Sequence, residues 1–590
     1  MRRLLLSCLF LCACTTSRVP RVEDLSLAEK IGQMFVFDGH AFYMSEDSAV
    51  YQELRRQVRE NHAGGVIWFA SDVYETALVT RRLQDMARVP LLVSADLEMG
   101  PGMRFSNTTY WPPAMAVAAT GDPSLAEQQG RITAIEASAI GVNHILAPVA
   151  DVNVNPDNPV INTRSFGEDP ADVSRFVAAF VRGVQSERVL ATAKHFPGHG
   201  DTNVDTHRSL PVIDAGRARL DRVELVPFRA AIDAGVASVM IAHIGIPAVD
   251  PTPAPVRLHA DAVAENVYTR DPEETTRDGT VPASLSAPVI EGILRRDLGF
   301  KGLVAGDAFD MGGLVAHYDA GEAAVLAVEA GTDLILKSPK PDAAIAAITA
   351  AVRDGRIPEA RIDESVRRIL DAKRRVRTRA GDPEEIFRTV DRQEHRRVAA
   401  DIATRAMTLL REERGALPLR PETRIVLAGI SDAAESANPV ARMEAEIRRR
   451  ASMPPVPFLV DPRTRPEEID AIVEAARDAD VVLLALAIRA VSGKGHLRLP
   501  DAARVLVERL PPHVKIVAVS FGSPYVLRDL PALRTYLCAW GTQPVLQTAA
   551  ARALYGEAAI AGRLPVTMPG LHRRGEGLEK PALGPVPQEP

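Results

Sequence analysis

Leu190-Ala191-Thr192-Ala193-Lys194-His195 is a short apolar run that ends abruptly in two ionisable residues. Seven other short apolar runs lie between Gln33 and Lys337: Met34–Asp38, Gly65–Phe69, Leu91–Ala95, Ile145–Ala150, Ser238–Ala242, Gly302–Ala305 and Asp333–Leu336. Helix-length amphipathic stretches such as Ala171–Gln185 and Arg219–Ala234 separate them. Eight strand-helix units are the number that closes a (β/α)8 TIM-type barrel. The carboxyl ends of the strands form the active face of such barrels. Ionisable residues sit at several of those ends: Asp96, Asp151, Lys194, His195, His243 and Asp307.

The rhythm changes after Ala380. A charged helical pattern runs through Arg411, and apolar runs resume from Leu417-Pro418-Leu419. Those at Ile425–Ile430, Phe458–Val460, Val481–Ala487, Ile516–Phe521 and Tyr536–Trp540 are spaced by helix-length segments, which predicts a doubly wound α/β/α sandwich. It carries no glycine-rich nucleotide fingerprint. The expected organisation is a leader over 1–13, a tether over 14–25, the barrel over 26–385, a helical linker over 386–415, the sandwich over 416–570 and a flexible tail over 571–590. Asn266–Thr280, rich in charge and Thr, reads as a loop insertion before the seventh strand.

A chain of 590 residues exceeds what one core serves, in keeping with two domains. Apolar residues form 46% and charged ones 25%, which excludes a disordered chain. The formal charge of −6 becomes more negative once Arg2 and Arg3 leave with the leader, so nucleic acid is not an expected partner. Met1-Arg2-Arg3 followed by Leu4–Leu11 is an export signal, too short to span a bilayer permanently. Three of the four cysteines lie in this leader region, leaving Cys538 and no disulfide framework.

Residues 194–211, Lys-His-Phe-Pro-Gly-His-Gly-Asp-Thr-Asn-Val-Asp-Thr-His-Arg-Ser-Leu-Pro, hold three histidines and two aspartates. Pro197, Gly198 and Gly200 exclude a helix, so His195 and His199 do not form a helical zinc motif. Three readings stay open on the residues alone. The loop could hold a metal, it could be a polar loop bonded to itself, or Asp205 and His207 could form a dyad in which carboxylate orients imidazole.

This segment resembles the signature of the β-N-acetylglucosaminidase (β-hexosaminidase) branch of glycoside hydrolase family 3. The resemblance extends to Asp151–Phe166, Gly302–Met311, Ser520–Tyr525 and Gly562–Val566, nearly the whole mature chain. It implies Asp307 as nucleophile, with Asp310 a nearby competitor, and Asp205 and His207 as the acid/base pair in place of a second carboxylate. It also implies sugar-holding roles for Asp96, Arg164, Lys194 and His195, and neither cofactor nor metal. Leu11-Cys12-Ala13-Cys14 resembles a bacterial lipobox, which implies a lipidated Cys14 and a membrane anchor in the cell envelope. The chain departs from the family at two places. Asp96-Leu97-Glu98-Met99-Gly100-Pro101-Gly102 stands where Asp-Gln-Glu-Gly-Gly-Arg is usual, and Gly306 replaces a hydroxyl residue before Asp307.

The expected reaction is release of terminal β-linked N-acetylglucosamine from cell-wall or chitin-type oligosaccharides by double displacement with retention. Phosphorolysis is the close variant, because a neutral imidazole repels an incoming anion less than a carboxylate does. A loop-borne zinc hydrolase and a non-catalytic sugar-binding lipoprotein are the alternatives from other classes.

Overall fold

The computed structural model describes residues 19–255, 279–490 and 493–584. The leader with Cys14, and all but the last two residues of the expected insertion at 266–280, lie outside the described residues.

All eight expected barrel strands form: β1 Phe35–Gly39, β2 Gly65–Trp68, β3 Leu92–Ala95, β4 His144–Ile145, β5 Leu190–Phe196, β6 Ser238–Ile241, β7 Leu303–Gly306 and β8 Ile335–Leu336. They pair in the order β8-β1-β2-β3-β4-β5-β6-β7, every pair parallel. The ring closes through the parallel bridge Ala305↔Leu334, with the Gly306 N–H donating to Leu334 O at 3.0 Å. The strands read as unbroken apolar runs because side chains on both faces are buried, some in the barrel and some under the helices.

The helices start where capping chemistry directs. Asp169 accepts from the N–H groups of Ala171 and Asp172, Pro170 occupies the first turn, and the helix Pro170–Gln185 follows. The expected helix at Arg219–Ala234 is instead two, Arg217–Arg222 and Val226–Asp233. Pro227 has no N–H to donate to the preceding turn, so it begins a helix rather than continuing one.

The second domain is a six-stranded sheet of β9 Thr408–Arg411, β10 Ile425–Ser431, β11 Val456–Val460, β12 Val481–Ala487, β13 Lys515–Ser520 and β14 Thr535–Cys538, in the order β9-β14-β13-β12-β10-β11. Side chains alternate between two cores. Val426, Ala428 and Ile430 pack with the helices Pro466–Ala476 and Asp501–Arg509, while Ile425 and Leu427 pack with Ala441–Arg448 and Pro544–Leu554. The three-layer sandwich is therefore as expected, with two corrections at its margins. The helical linker over 386–415 ends at Ala406, and β9 adds antiparallel to β14 as an edge strand. The tail over 571–590 is pinned as far as it is described, by the bridges Leu409↔Leu578 and Ile560↔Lys580 and by the Leu583 N–H to Gly556 O bond at 2.8 Å.

The two domains share apolar packing. Met115, Ala116 and Ala119, from a helix that follows β3, belong to the same buried cluster as Ile430, Leu486 and Tyr536 of the second domain.

Candidate active site

The carboxyl ends of the barrel strands open into a cavity of about 400 Å³, within the range of small-ligand pockets. Asp96, Arg164, Lys194, His195, His207 and Asp307 all line it. Asp205 lies behind His207, its side chain fully buried.

The floor on the β3–β5 side is a charge lattice. The Lys194 ammonium donates to Asp96 Oδ1 and lies equally close to Glu98 Oε1, at 2.7 Å from each. Arg164 meets Glu98 with two parallel bonds of 2.8 and 2.7 Å, and Arg104 donates to Asp96 Oδ2 at 2.9 Å. Burial would raise both carboxyl groups, but the cations overcome it. Lys194 and Arg104 lower Asp96 to about 2, and Arg164 and Lys194 hold Glu98 well below the usual range. The side chains expected to hold sugar are thus locked to each other before any ligand arrives. Arg104, three positions beyond where the family pattern carries its arginine, reaches back to Asp96. The altered loop brings Met99 to the cavity, where Gln543 of the second domain donates to its sulfur at 3.0 Å.

His195 is oriented by Asp151, whose Oδ2 lies 2.7 Å from Nδ1 and whose Oδ1 accepts the His199 N–H at 2.7 Å. Arg164 can only donate, and it lies 3.3 Å from His195 Nε2, which assigns the ring hydrogen to Nδ1. His199 also borders the cavity, with its ring nitrogens bonded to Thr202 and Thr206, and burial lowers it to about 4. The three histidines of the 194–211 segment therefore face three different sets of partners. Among the described residues no group of three or more His, Cys, Asp and Glu side chains converges as a metal site.

His207 Nδ1 lies 2.8 Å from Asp205 Oδ1, which also accepts the His207 backbone N–H at 2.9 Å. Burial would raise the Asp205 carboxyl, but the bond to His207 and the charge on it keep it low. The loop bearing this pair is joined to the segment after β7, where the N–H groups of Gly312 and Gly313 donate to the carbonyls of His207 and Thr206 at 3.1 and 2.9 Å.

Asp307 follows β7 directly. Its backbone N–H donates to Ile241 O at 3.0 Å and its Oδ1 accepts from Ala308 N–H at 2.8 Å. Burial raises its carboxyl, yet His195, His243 and His207 around it bring it below the ordinary value. Asp310 does not line the cavity; it is buried and pairs with Lys337 at 2.7 Å. Gly306 stands where the family carries a hydroxyl because the Phe309 ring occupies that space. A Cβ at Gly306 would lie 2.4 Å from Phe309 Cε2.

Several contributors had not been assigned to the site. Glu98 and Arg104 complete the charge lattice, and Asp151 orients His195. Fully buried His243, lowered by burial, accepts from Ser284 at Nδ1 (2.7 Å) and donates from Nε2 to Ala308 O (3.0 Å), fixing the peptide beside Asp307. The second domain supplies Arg489, Gly522, Trp540 and Gln543 to the cavity wall. The carboxylates and histidines were visible as strand-end residues; nothing local marked the second-domain residues.

An imidazole oriented by a carboxylate, beside a carboxylate that no cation among the described residues neutralises, is chemistry suited to glycoside hydrolysis, and the comparisons with known proteins agree. Residues 26–372 match the glycosyl hydrolase family 3 N-terminal domain and residues 407–579 its C-terminal domain. The chain belongs to glycosyl hydrolase family 3. It is 30% identical over 576 residues to a β-N-acetylglucosaminidase/β-glucosidase of Cellulomonas fimi, covering 92% of this chain and 94% of that one. It is 29% identical over 452 residues to β-hexosaminidase A of Pseudoalteromonas piscicida, covering 70% and 71%. Among solved structures, a family 3 β-N-acetylglucosaminidase from Paenibacillus sp. str. FPU-7 aligns with a TM-score of 0.77 and 32% identity, covering 92% and 99%. A β-glucoside phosphorylase bound to 2FGlc aligns with a TM-score of 0.79 and 26% identity, covering 92% and 95%.

Proposed function

We propose that the enzyme removes terminal β-linked N-acetylglucosamine from oligosaccharides by a retaining double displacement. The observation that carries this reading is the pairing of Asp205 with His207 at the cavity that Asp307 lines, where the other two carboxylates of the wall, Asp96 and Glu98, are tied to Lys194, Arg104 and Arg164, so that an imidazole stands in for the second carboxylate of most glycosidases. Asp307 attacks the anomeric carbon and the glycosidic oxygen leaves with a proton from His207. Because Nδ1 is bonded to Asp205, Nε2 is the nitrogen that carries the proton. Water, deprotonated by the same imidazole, then displaces Asp307. Asp96, Arg164, Lys194 and His195 hold the sugar hydroxyls. The names of the Cellulomonas, Pseudoalteromonas and Paenibacillus relatives support N-acetylglucosamine as the sugar.

The test is a panel of p-nitrophenyl β-glycosides with and without inorganic phosphate. Preferential cleavage of the N-acetylglucosaminide, with free N-acetylglucosamine as product, is expected. Preference for the β-glucoside would replace the substrate, and a sugar 1-phosphate as main product would replace the acceptor.

The proposal extends to location. Leu11-Cys12-Ala13-Cys14 supports an exported lipoprotein anchored through Cys14, acting on N-acetylglucosamine-bearing fragments of the cell wall. Cys14→Ser is expected to move the protein from the membrane to the soluble fraction, and unchanged fractionation would refute the anchor.

A further inference from the structure

We propose that the second domain positions the proton-transfer dyad, through the backbone N–H of Gly493. The inference rests on the reading of Asp205 and His207 as proton carrier and adds to it an element of the machinery that never touches the sugar.

Asp205 has two carboxylate oxygens, and the His207 backbone N–H and Nδ1 both meet Oδ1. Oδ2 accepts the Gly493 N–H at 2.8 Å. The side chain is fully buried. Without that donor Oδ2 would be a buried charged acceptor deprived of this partner, a costly state for a carboxylate. With it, the carboxylate is held at both oxygens and cannot turn away from the imidazole. The bond is charge-assisted, the stronger kind of hydrogen bond.

The donor loop is itself held. Gly493 lies at φ 79° and Gly495 at φ 78°, left-handed positions that favour glycine. Lys494, between them, pairs with Asp432 just beyond β10. Its carbonyl accepts from Arg208 Nη1 at 3.3 Å, one residue past His207. A Cβ at Gly495 would lie 2.8 Å from the same Arg208 Nη1 and 3.1 Å from its Cδ. The dyad loop is therefore gripped from two sides. Gly312 and Gly313 fix its distance from Asp307 within the barrel, and residues 493–495 fix the carboxylate's rotation from the second domain.

Gly493→Pro removes the donor and also displaces the loop, since a proline ring cannot adopt φ 79°, whereas Lys494→Met, a milder change, removes only the loop's anchor; both are made in the full-length chain. Two readouts are compared with wild type: the ratio of chitobiose to p-nitrophenyl N-acetylglucosaminide cleavage, and the downfield proton NMR signal of a His207 Nδ1–H bonded to carboxylate. The ratio is expected to fall at least about tenfold, since only the sugar leaving group needs the proton, and the signal to broaden or move upfield. A folded Lys494→Met protein with wild-type ratio and signal would overturn the inference, as would equal losses on both substrates. His207→Ala runs in parallel. If it too lacks the asymmetry, the dyad reading itself fails; if it shows the asymmetry and the loop variants do not, only the second domain's role falls.

Discussion

Asp307 and His207 line one cavity in different environments, in keeping with the different work proposed for them. Asp307 is brought below the usual carboxylate range by three imidazoles despite burial, so it is ionised throughout the neutral range, as a nucleophile requires. Asp307→Ala is expected to lower turnover by about 10⁴-fold or more with an unchanged circular dichroism spectrum, since it deletes a cavity-lining group rather than core volume. Residual activity within tenfold of wild type would refute the assignment. His207→Ala should cost roughly 10²–10⁴-fold on a disaccharide and far less on an aryl glycoside whose leaving group departs unprotonated. Asp205→Asn should show a smaller asymmetry of the same kind. An amide offers one acceptor oxygen where the carboxylate here serves His207 and Gly493 on opposite sides.

The strand ends form an electrostatic unit larger than any of their residues. Two carboxylates, Asp96 and Glu98, pair with three cations, Arg104 and Arg164 from the loops beyond β3 and β4 and Lys194 near the end of β5. Glu98→Gln leaves Arg164 and Lys194 with too little opposing charge, and a loss of about 3–5 kcal/mol is expected in urea unfolding at neutral pH. The pH dependence has a definite sign. Asp96 is depressed to about 2 in the folded state, so its contribution is complete above its unfolded value near 4 and disappears as pH falls toward 2. Asp96→Asn should therefore flatten the fall of stability across that window, and an unchanged slope would contradict it. The same elements show what local pattern conveys. Most barrel-strand residues are apolar and buried, and the strands are separated by helix-length segments, hence legible. β9 escapes notice because four residues, Thr408–Arg411, follow a helix without glycine or proline and become a strand only by pairing with Thr535–Cys538, more than a hundred residues later.

At the scale of the molecule, the second domain is part of the active site and of the core beneath it. Met115 is fully buried in a cluster made mostly of second-domain side chains. Barrel and sandwich are thus expected to unfold in one calorimetric transition, and Met115→Ala to lower it as a whole by about 2–5 kcal/mol. Two separate transitions, with only one shifted by Met115→Ala, would show that the domains are independent.

The sequence by itself determined the number and order of the barrel strands, the two-domain plan and the identity of the ionisable residues at the strand ends. Those are properties of local periodicity and composition, which a single pass along the chain contains. Only the tertiary structure decided which of those residues meet. Asp151 reaches His195 across 44 positions, Lys194 reaches Asp96 across 98, and Gly493 reaches Asp205 across 288. It also decided that the proline- and charge-rich tail is pinned as far as residue 584, because Leu578 and Lys580 find partners at Leu409 and Ile560. Hydrogen bonds and ion pairs act over a few ångströms of space, whatever the length of chain between the partners. Barrel closure and docking of the second domain create that proximity, and neither leaves a local mark in the sequence.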